Sequence, residues 1–198
     1  MLVFWKQKLV LLSVPKTGTT ALEHALAPRA DIVISNPPEL KHAPVYRYNR
    51  FFRPMFERAC KEENMVVMAV MREPVSWLGS WYRFRRRESM IGHRNSTHEY
   101  TFDEFVDAYS RGSKPAFANV GSQAKFLEGR PNGTEVKHLF RYEDQPTILA
   151  FLEDTLETKI ELSQENVSPK MDLNLSPRAE TRLRQKCPEE FDLYNSIS

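Results

Sequence analysis

The first residues of this chain that could do chemistry stand together near its start, in the run Pro15-Lys16-Thr17-Gly18-Thr19-Thr20. The lysine brings a mobile positive charge, and the threonine hydroxyls can donate hydrogen bonds. The glycine allows the backbone to come close to a ligand. Placed together in a turn, these groups are suited to hold an anion, and above all a phosphate.

The neighbouring sequence predicts that this turn joins a buried strand to the start of a helix. A mostly apolar run over residues 9–14 precedes the turn. After it, apolar residues recur at the spacing of one helix face, at Ala21, Leu22, Ala25 and Leu26. A helix N-terminus offers backbone N–H groups without partners and a partial positive charge. We therefore expect a phosphate beside Lys16, held by the backbone of Thr17, Gly18, Thr19 and Thr20.

The turn differs from the loop of the P-loop kinases and nucleotide hydrolases, whose pattern is G-x-x-x-x-G-K-[ST]. Here Lys16 stands before Gly18, and no glycine precedes this lysine in the chain. A kinase or hydrolase of that kind stays an alternative. It would require magnesium together with ATP or GTP.

A second anion-binding pair is predicted after residues 65–71, an unbroken apolar run with the length of a central parallel strand. Arg72 ends this strand, at the edge where open α/β sheets bind their ligands. Ser80 lies eight residues further on, in a helix that Pro74 can begin. Arginine offers a phosphate a charged bidentate contact, and serine adds a directional donor. A plainer interpretation, Arg72 paired with a carboxylate such as Glu73, stays open.

Strands and helices alternate along the chain, and this order predicts an α/β fold. We expect a three-layer α/β/α sandwich around a central, mostly parallel sheet, of the P-loop nucleotide-binding type. Residues 1–198 are expected to form a single domain. Further strands are predicted at residues 31–34 and 136–142, and helices at residues 51–63, 119–127 and 147–156. The proline-rich segment 36–44 is expected to be irregular.

Composition argues against two classes of protein. The 198 residues include 28 basic and 26 acidic ones, a net charge of +2, which is too balanced for a general nucleic-acid binder. No apolar run approaches the roughly 20 residues of a membrane span. Cys60 and Cys187 have neither metal-ligand spacing nor a disulfide pattern, and this suits a reducing compartment. We expect a cytoplasmic protein, although a trimmed piece of a secreted enzyme would look the same.

Taken together, the motifs resemble those of the sulfotransferases that use 3′-phosphoadenosine-5′-phosphosulfate (PAPS), in particular the carbohydrate-type and bacterial enzymes. The order Pro-Lys-Thr-Gly-Thr-Thr is similar to their 5′-phosphosulfate loop. An arginine followed eight residues later by a serine is similar to their 3′-phosphate site. The resemblance extends from Leu9 to Tyr194 and includes residues 121–127, 140–144, 166–170, 175–177 and 192–194. The Arg-Lys-Gly loop with which the cytosolic enzymes bind the 3′-phosphate is missing from this sequence. We assign its task to Ser168 and Lys170.

The resemblance implies an enzyme that moves a sulfuryl group from PAPS to a hydroxyl or amine acceptor and releases adenosine 3′,5′-bisphosphate (PAP). Lys16 would stabilise the charge that develops as the S–O bond breaks. Arg72 and Ser80 would hold the 3′-phosphate. The implied acceptor is a carbohydrate or small alcohol. The basic run at residues 83–87 would suit an anionic glycan, and a solvated helix end is the equally open interpretation of this run. A phenol or peptide tyrosine, the oligomeric state and a Golgi-lumen location for a trimmed fragment stay open. No metal and no nucleic-acid partner are expected.

An acceptor hydroxyl also requires a general base. The predicted base is His42, because the family often places its base in the loop after the second strand. The ordinary pKa of histidine, about 6.5, suits this role. Other candidates are Glu39, His93 and His98. A protein that kept the fold and lost the chemistry, and so binds PAPS without turning it over, is the alternative from a different class.

Overall fold

The structure, a computed structural model, describes residues 1–162 and 171–197. These residues divide into two compact units. Residues 1–72, 123–162 and 197 form the first unit, and residues 73–122 and 171–196 form the second. Each unit has an apolar core of its own. The single domain expected over residues 1–198 stays a prediction.

The first unit is an α/β structure built on a mixed five-stranded sheet with the strand order β3-β1-β2-β4-β5. Its strands are β1 (Leu2–Phe4), β2 (Leu9–Leu11), β3 (Ile32–Val33), β4 (Val66–Met71) and β5 (His138–Arg141). Strand β4 pairs in parallel with both β2 and β5. The carboxyl ends of β2, β4 and β5 therefore meet at one edge of the sheet, and the chain segments that follow them emerge there.

The start of the chain is where the sheet departs from the predicted, mostly parallel arrangement. From the sequence, no strand is predicted over residues 1–8. Instead β1 pairs antiparallel with both β2 and β3, so half of the strand pairings are antiparallel. The β1–β2 turn is closed by the N–H of Lys8, which donates to the carbonyl of Trp5 at 3.1 Å. Lys6 and Lys8, which interrupt the apolar pattern, are exposed in this turn.

The helices of the described residues alternate with the strands as the sequence predicts. In the first unit they are α1 (Thr19–Leu26), α2 (Pro38–Lys41), α3 (Val45–Arg47), α4 (Arg53–Cys60), α7 (Gln123–Leu127) and α8 (Gln145–Leu156). In the second unit they are α5 (Pro74–Arg85), α6 (Phe102–Tyr109), α9 (Pro177–Lys186) and α10 (Pro188–Asn195). None of these helices is both long enough and apolar enough to cross a bilayer.

Three boundaries differ from the sequence-based expectations. The segment 36–44, expected to be irregular, contains the one-turn helix α2, because Pro38 stands at a first position where no N–H donor is needed. The helix expected over residues 51–63 begins earlier, since α3 runs through a π-helical turn, Tyr48–Phe52, into α4. The helix expected over residues 119–127 is only the short α7.

Helices α1 and α8 cover one face of the sheet. Their buried residues Leu22, Leu26, Ile148, Leu152 and Leu156 pack with the inward side chains of β1, β2 and β4. The alternate strand residues point to the opposite face. Among them Val10 and Ala69 are fully buried too. Both faces of the sheet are therefore covered.

The second unit has an aromatic core, formed by Trp77, Tyr82, Phe105, Tyr109 and Phe191 with their aliphatic neighbours. Helix α6 begins with a capping box, in which Thr101 and Glu104 satisfy each other's backbone N–H. Arg85 is buried in this unit and donates to the carbonyls of Ala116 at 2.7 Å and Asn119 at 2.9 Å.

Part of the basic run at residues 83–87 thus stabilises the second unit. Arg86 donates to the carbonyl of Thr97 at 2.9 Å, and Arg87 lies over the ring of Phe84. Burial lowers the pKa of Arg85, yet an arginine stays charged at neutral pH. Its two carbonyl partners therefore receive charge-assisted hydrogen bonds, which are stronger than neutral ones.

Replacing Arg85 by methionine should destabilise the protein by about 2 kcal/mol, because two partly buried hydrogen bonds from a charged donor are lost. Urea unfolding measures the change. Arg111→Met, at an exposed position of the same unit, is the control and should change the free energy of unfolding by less than about 0.5 kcal/mol. Equal effects of the two substitutions would contradict a structural role for Arg85.

Candidate functional site

The predicted phosphate loop lies between β2 and α1 and contains two residues in the left-handed region. Lys16 has φ of 68° and Gly18 has φ of 72°. A residue with a Cβ pays roughly 1–2 kcal/mol for this conformation. Lysine has no local reason to adopt it, and strain of this kind clusters at functional sites. The loop is therefore held in a specific shape by its surroundings.

The N-terminus of α1 faces the end of this loop. Gly18 is its N-cap residue and is exposed, and no side chain caps the helix. Its first turn carries no acidic residue. The first N–H groups of a helix lack partners within it, and the helix dipole makes this end positive. An anion at this position would meet no competing carboxylate from the first turn.

The threonines of the loop have separate tasks. The hydroxyl of Thr17 is buried and donates to the carbonyl of Val14 at 2.9 Å, so it closes the turn. Thr19 is buried as well, whereas Thr20 is half-buried. A ligand at this loop would consequently be held mainly by backbone N–H groups, as expected from the sequence, and the Thr17 hydroxyl shapes the turn.

Arg72, at the end of β4, lies next to this loop. Its Nη1 donates a long hydrogen bond, 3.5 Å, to the carbonyl oxygen of Lys16. The two residues are 56 positions apart in the chain. They meet because β2 and β4 are parallel neighbours whose carboxyl ends share one edge. The Arg72 guanidinium is thus brought to the backbone of the loop that carries Lys16.

The backbone of Arg72 is held by one buried side chain, that of Gln123 at the start of α7. The N–H of Arg72 donates to Oε1 of Gln123 at 3.0 Å. The Nε2 of Gln123 returns a hydrogen bond to the carbonyl of Arg72 at 2.9 Å. Gln123 is 1% exposed. A fully buried amide in this double contact fixes the point where the strand ends and the arginine side chain begins.

The side chain of Arg72 rests on Tyr142, the residue that follows β5. The guanidinium carbon is 4.5 Å from the ring centroid, a cation–π distance. The same ring borders Gly18, where an added Cβ would lie 2.9 Å from Cε2 of the tyrosine. Sequence reasoning assigned no role to Tyr142 or Gln123. Both stood in segments of the family resemblance, and Tyr142 follows a strand at the ligand-binding edge, which was the available signal.

His42, the predicted base, is half-buried and lies against the segment that joins β2 to the loop. Its Nδ1 is 2.7 Å from the carbonyl oxygen of Ser13, three residues before Lys16. A carbonyl can only accept, so Nδ1 carries the proton and Nε2 of a neutral ring is the basic nitrogen. Burial, supported by the positive charge of Lys41, lowers the pKa of His42 despite the opposing Ser13 hydrogen bond.

An ion pair anchors the segment of His42 to α1. The Nζ of Lys41 lies 2.9 Å from Oε2 of Glu23, and both side chains are largely buried. Burial alone would raise the pKa of Glu23, but hydrogen bonds from Ser35 and Lys41 outweigh it and lower that pKa. The carboxylate is therefore ionised at neutral pH, and the helix that carries the anion-binding end also holds the loop of His42.

Other predicted residues belong to the second unit or lie outside the described residues. Ser80 is 6% exposed in α5 of the second unit. His98 of the second unit pairs through Nδ1 with the hydroxyl of Ser96 at 2.8 Å. In the same unit the Nδ1 of His93 accepts from the N–H of Asn95 at 3.1 Å. Ser168 and Lys170 lie outside the described residues.

A cavity of about 380 Å³ lies at a different place in the first unit. It is bordered by Tyr48, Arg53 and Phe56, by the entry to β4 and by the turn before β5. None of the predicted site residues lines it. Its volume does not make it the better candidate, because a phosphate bound by main-chain N–H groups at a helix end needs no deep cavity. We therefore keep the loop edge as the candidate site.

The chain matches no protein-family model, no curated protein and no solved structure. The resemblance to sulfotransferases accordingly depends on the motifs themselves. Within the described part of the chain, no three His, Cys, Asp or Glu side chains come together as metal ligands would.

Gly18→Ala should destabilise the protein more than Gly133→Ala. Both glycines have positive φ, 72° and 83°, so both substitutions pay the backbone cost. Only at residue 18 does the new Cβ also meet a side chain, that of Tyr142. We expect an additional loss of about 1–2 kcal/mol at residue 18, as in other overpacked sites. Urea unfolding tests this, and equal losses would mean that the ring of Tyr142 moves away freely.

The lowered pKa of His42 has a consequence for stability. The unfolded chain binds this proton more readily than the folded protein does, so the free energy of unfolding should fall as the pH drops below the ordinary histidine pKa, about 6.5. His42→Asn keeps a donor for the Ser13 carbonyl and removes the titration. Between pH 7 and pH 5, the free energy of unfolding should fall less for this variant than for the wild type. An equal fall in the two proteins would exclude His42 as the source of the pH dependence.

Proposed function

We propose that this chain is a PAPS-dependent sulfotransferase whose nucleotide lies along the edge formed by β2, β4 and β5. The observation that carries the proposal is the contact of Arg72 with the carbonyl of Lys16, at 3.5 Å. It brings a second cation beside a loop that already offers a lysine and a helix N-terminus. Two neighbouring positive groups favour a ligand with more than one phosphate, and PAPS is such a ligand.

In the proposed reaction the acceptor oxygen attacks the sulfur of PAPS while the bond between the sulfur and the bridging oxygen breaks. The leaving group is PAP. The ammonium of Lys16 stabilises the negative charge that develops on the bridging oxygen. The backbone of Thr17 to Thr20 holds the 5′-phosphate, so that catalysis consists of positioning and electrostatics, as in phosphoryl transfer.

His42 would accept the proton of the acceptor hydroxyl on Nε2. Two observations support this assignment. The Ser13 carbonyl fixes the tautomer with Nδ1 protonated, and the lowered pKa keeps the ring neutral at physiological pH. A neutral ring with an available Nε2 is the reactive form of a histidine base. These features favour an enzyme over a protein that only binds PAPS.

The arrangement of layers in the first unit is part of the same proposal. Helices on both sides of a sheet, with a phosphate loop at the carboxyl end of a strand, would make the first unit a three-layer sandwich of the P-loop type. The antiparallel β1 and β3 would then be additions at one side of the parallel strands. Arg72 would bind the 3′-phosphate, and the contribution of Ser80 to that phosphate stays a prediction. The acceptor would be a carbohydrate or small alcohol.

PAP should stabilise the wild-type protein strongly, and without added metal. At a concentration of 100 times its dissociation constant, a ligand of the folded state adds about 2.7 kcal/mol to the free energy of unfolding. Thermal unfolding with PAP, ATP and ATP plus Mg²⁺ compares the two nucleotide classes. Stabilisation by Mg-ATP and not by PAP would establish the kinase or hydrolase alternative.

A matched pair of lysine variants assigns the binding to the loop. Lys16→Ala should lose most of the stabilisation by PAP. Lys61→Ala should keep it, although Lys61 shares the positive φ, 55°, at an exposed position. Release of PAP from PAPS in the presence of a simple alcohol or sugar then separates a transferase from a protein that binds without turnover.

A further inference from the structure

Tyr142 is the aromatic side chain at the proposed site that no motif assigns to the reaction. It follows β5 directly, at the edge that carries Lys16 and Arg72. We propose that Tyr142 positions the guanidinium of Arg72 and thereby determines the selectivity of the site for a doubly phosphorylated adenosine. This inference rests on the proposed function, since it concerns how the same site recognises its second phosphate.

The need for such a residue follows from the nature of arginine. Gln123 fixes the backbone of Arg72 through two hydrogen bonds, but the long side chain beyond it has several rotatable bonds. Holding such a side chain in one rotamer costs conformational entropy, which a ligand must otherwise supply on binding. The ring of Tyr142, 4.5 Å from the guanidinium carbon, supplies this order before the ligand arrives.

The backbone of Tyr142 is well fixed. The N–H of Tyr142 donates to the carbonyl of Met71 at 2.7 Å, which extends the parallel pairing of β4 and β5 by one step. The carbonyl of Tyr142 accepts from the side chain of Gln145. A side chain that leaves a rigid strand end can orient its neighbour more accurately than one on a mobile loop.

The ring touches both halves of the proposed site. One face carries Arg72, and the ring edge at Cε2 borders Gly18 at the start of α1. The bulk of the ring therefore supports the loop, while its π-electrons hold the cation. These two effects can be separated by experiment, because fluorination withdraws electron density from a ring and changes its shape little.

The test replaces Tyr142 by phenylalanine and by mono-, di- and trifluorinated phenylalanines in the full chain. Calorimetry measures the dissociation constants of PAP and of adenosine 5′-monophosphate, which lacks the 3′-phosphate. The dissociation constant of the Tyr142→Phe variant for PAP should stay within about twofold of the wild-type value, because the ring is kept. Each fluorine should then weaken PAP binding, by about five- to tenfold in total, and leave the monophosphate unchanged. A series without trend for PAP, or an equal trend for both nucleotides, overturns the proposal.

A double-mutant comparison gives an independent answer. Tyr142→Leu should weaken PAP binding about tenfold in the wild-type background and clearly less in Arg72→Gln, where no cation remains to orient and only the support of the loop is lost. Additive effects would overturn the proposal. Tyr46→Leu is the control, since Tyr46 also carries an arginine, Arg47 at 5.7 Å, on an exposed face. This variant should bind PAP like the wild type.

One further measurement separates this inference from the proposed function. In the nucleotide-free protein, the ring current of Tyr142 should shift the Nε–H proton signal of Arg72, and Tyr142→Leu should remove the shift. If the wild type binds no PAP, the proposed function and the selectivity role both fail, even though this shift persists. If the wild type binds PAP and shows no shift, only the role of Tyr142 is overturned.

Discussion

The parallel pairing of β4 with β2 on one side and β5 on the other is the constraint on which the candidate site depends. Parallel strands end at the same edge, so their connections emerge side by side whatever their distance along the chain. Lys16, Arg72 and Tyr142 are each found within a few residues of one of these strand ends. A slip in this pairing would separate the loop from its cation while leaving every local element intact.

At this edge of the sheet, unfavourable backbone conformations are maintained by tertiary contacts. Lys16 holds a left-handed backbone that lysine does not favour, and Gly18 admits the ring of Tyr142 only because it has no Cβ. The surrounding hydrogen bonds maintain both features: Gln123 ties down Arg72, and the Thr17 hydroxyl closes the turn. Such an arrangement is consistent with a site that is preorganised for a ligand and not merely with a turn between two elements.

Charge in this protein acts through position and not through amount. The net charge is only +2. Several arginines of the basic run donate to main-chain carbonyls of the second unit, as Arg85 and Arg86 do, and hold its core together. By contrast, the charges of Lys16 and Arg72 lie at the end of strands and beside an uncapped helix. Similar side chains thus serve stability in one unit and lie beside the proposed ligand site in the other.

The sequence by itself determined the kind and order of most elements, because apolar periodicity, capping residues and prolines act over a few neighbouring residues. It also pointed to Lys16 to Thr20, Arg72 and His42 as residues whose chemistry suits a phosphate site, which stays a prediction. Only the tertiary structure decided that β1 folds back as an antiparallel partner, that Gln123 holds Arg72 from 51 residues away, and that Tyr142 lies under the guanidinium. These contacts depend on which strands become neighbours, and no local pattern records that choice.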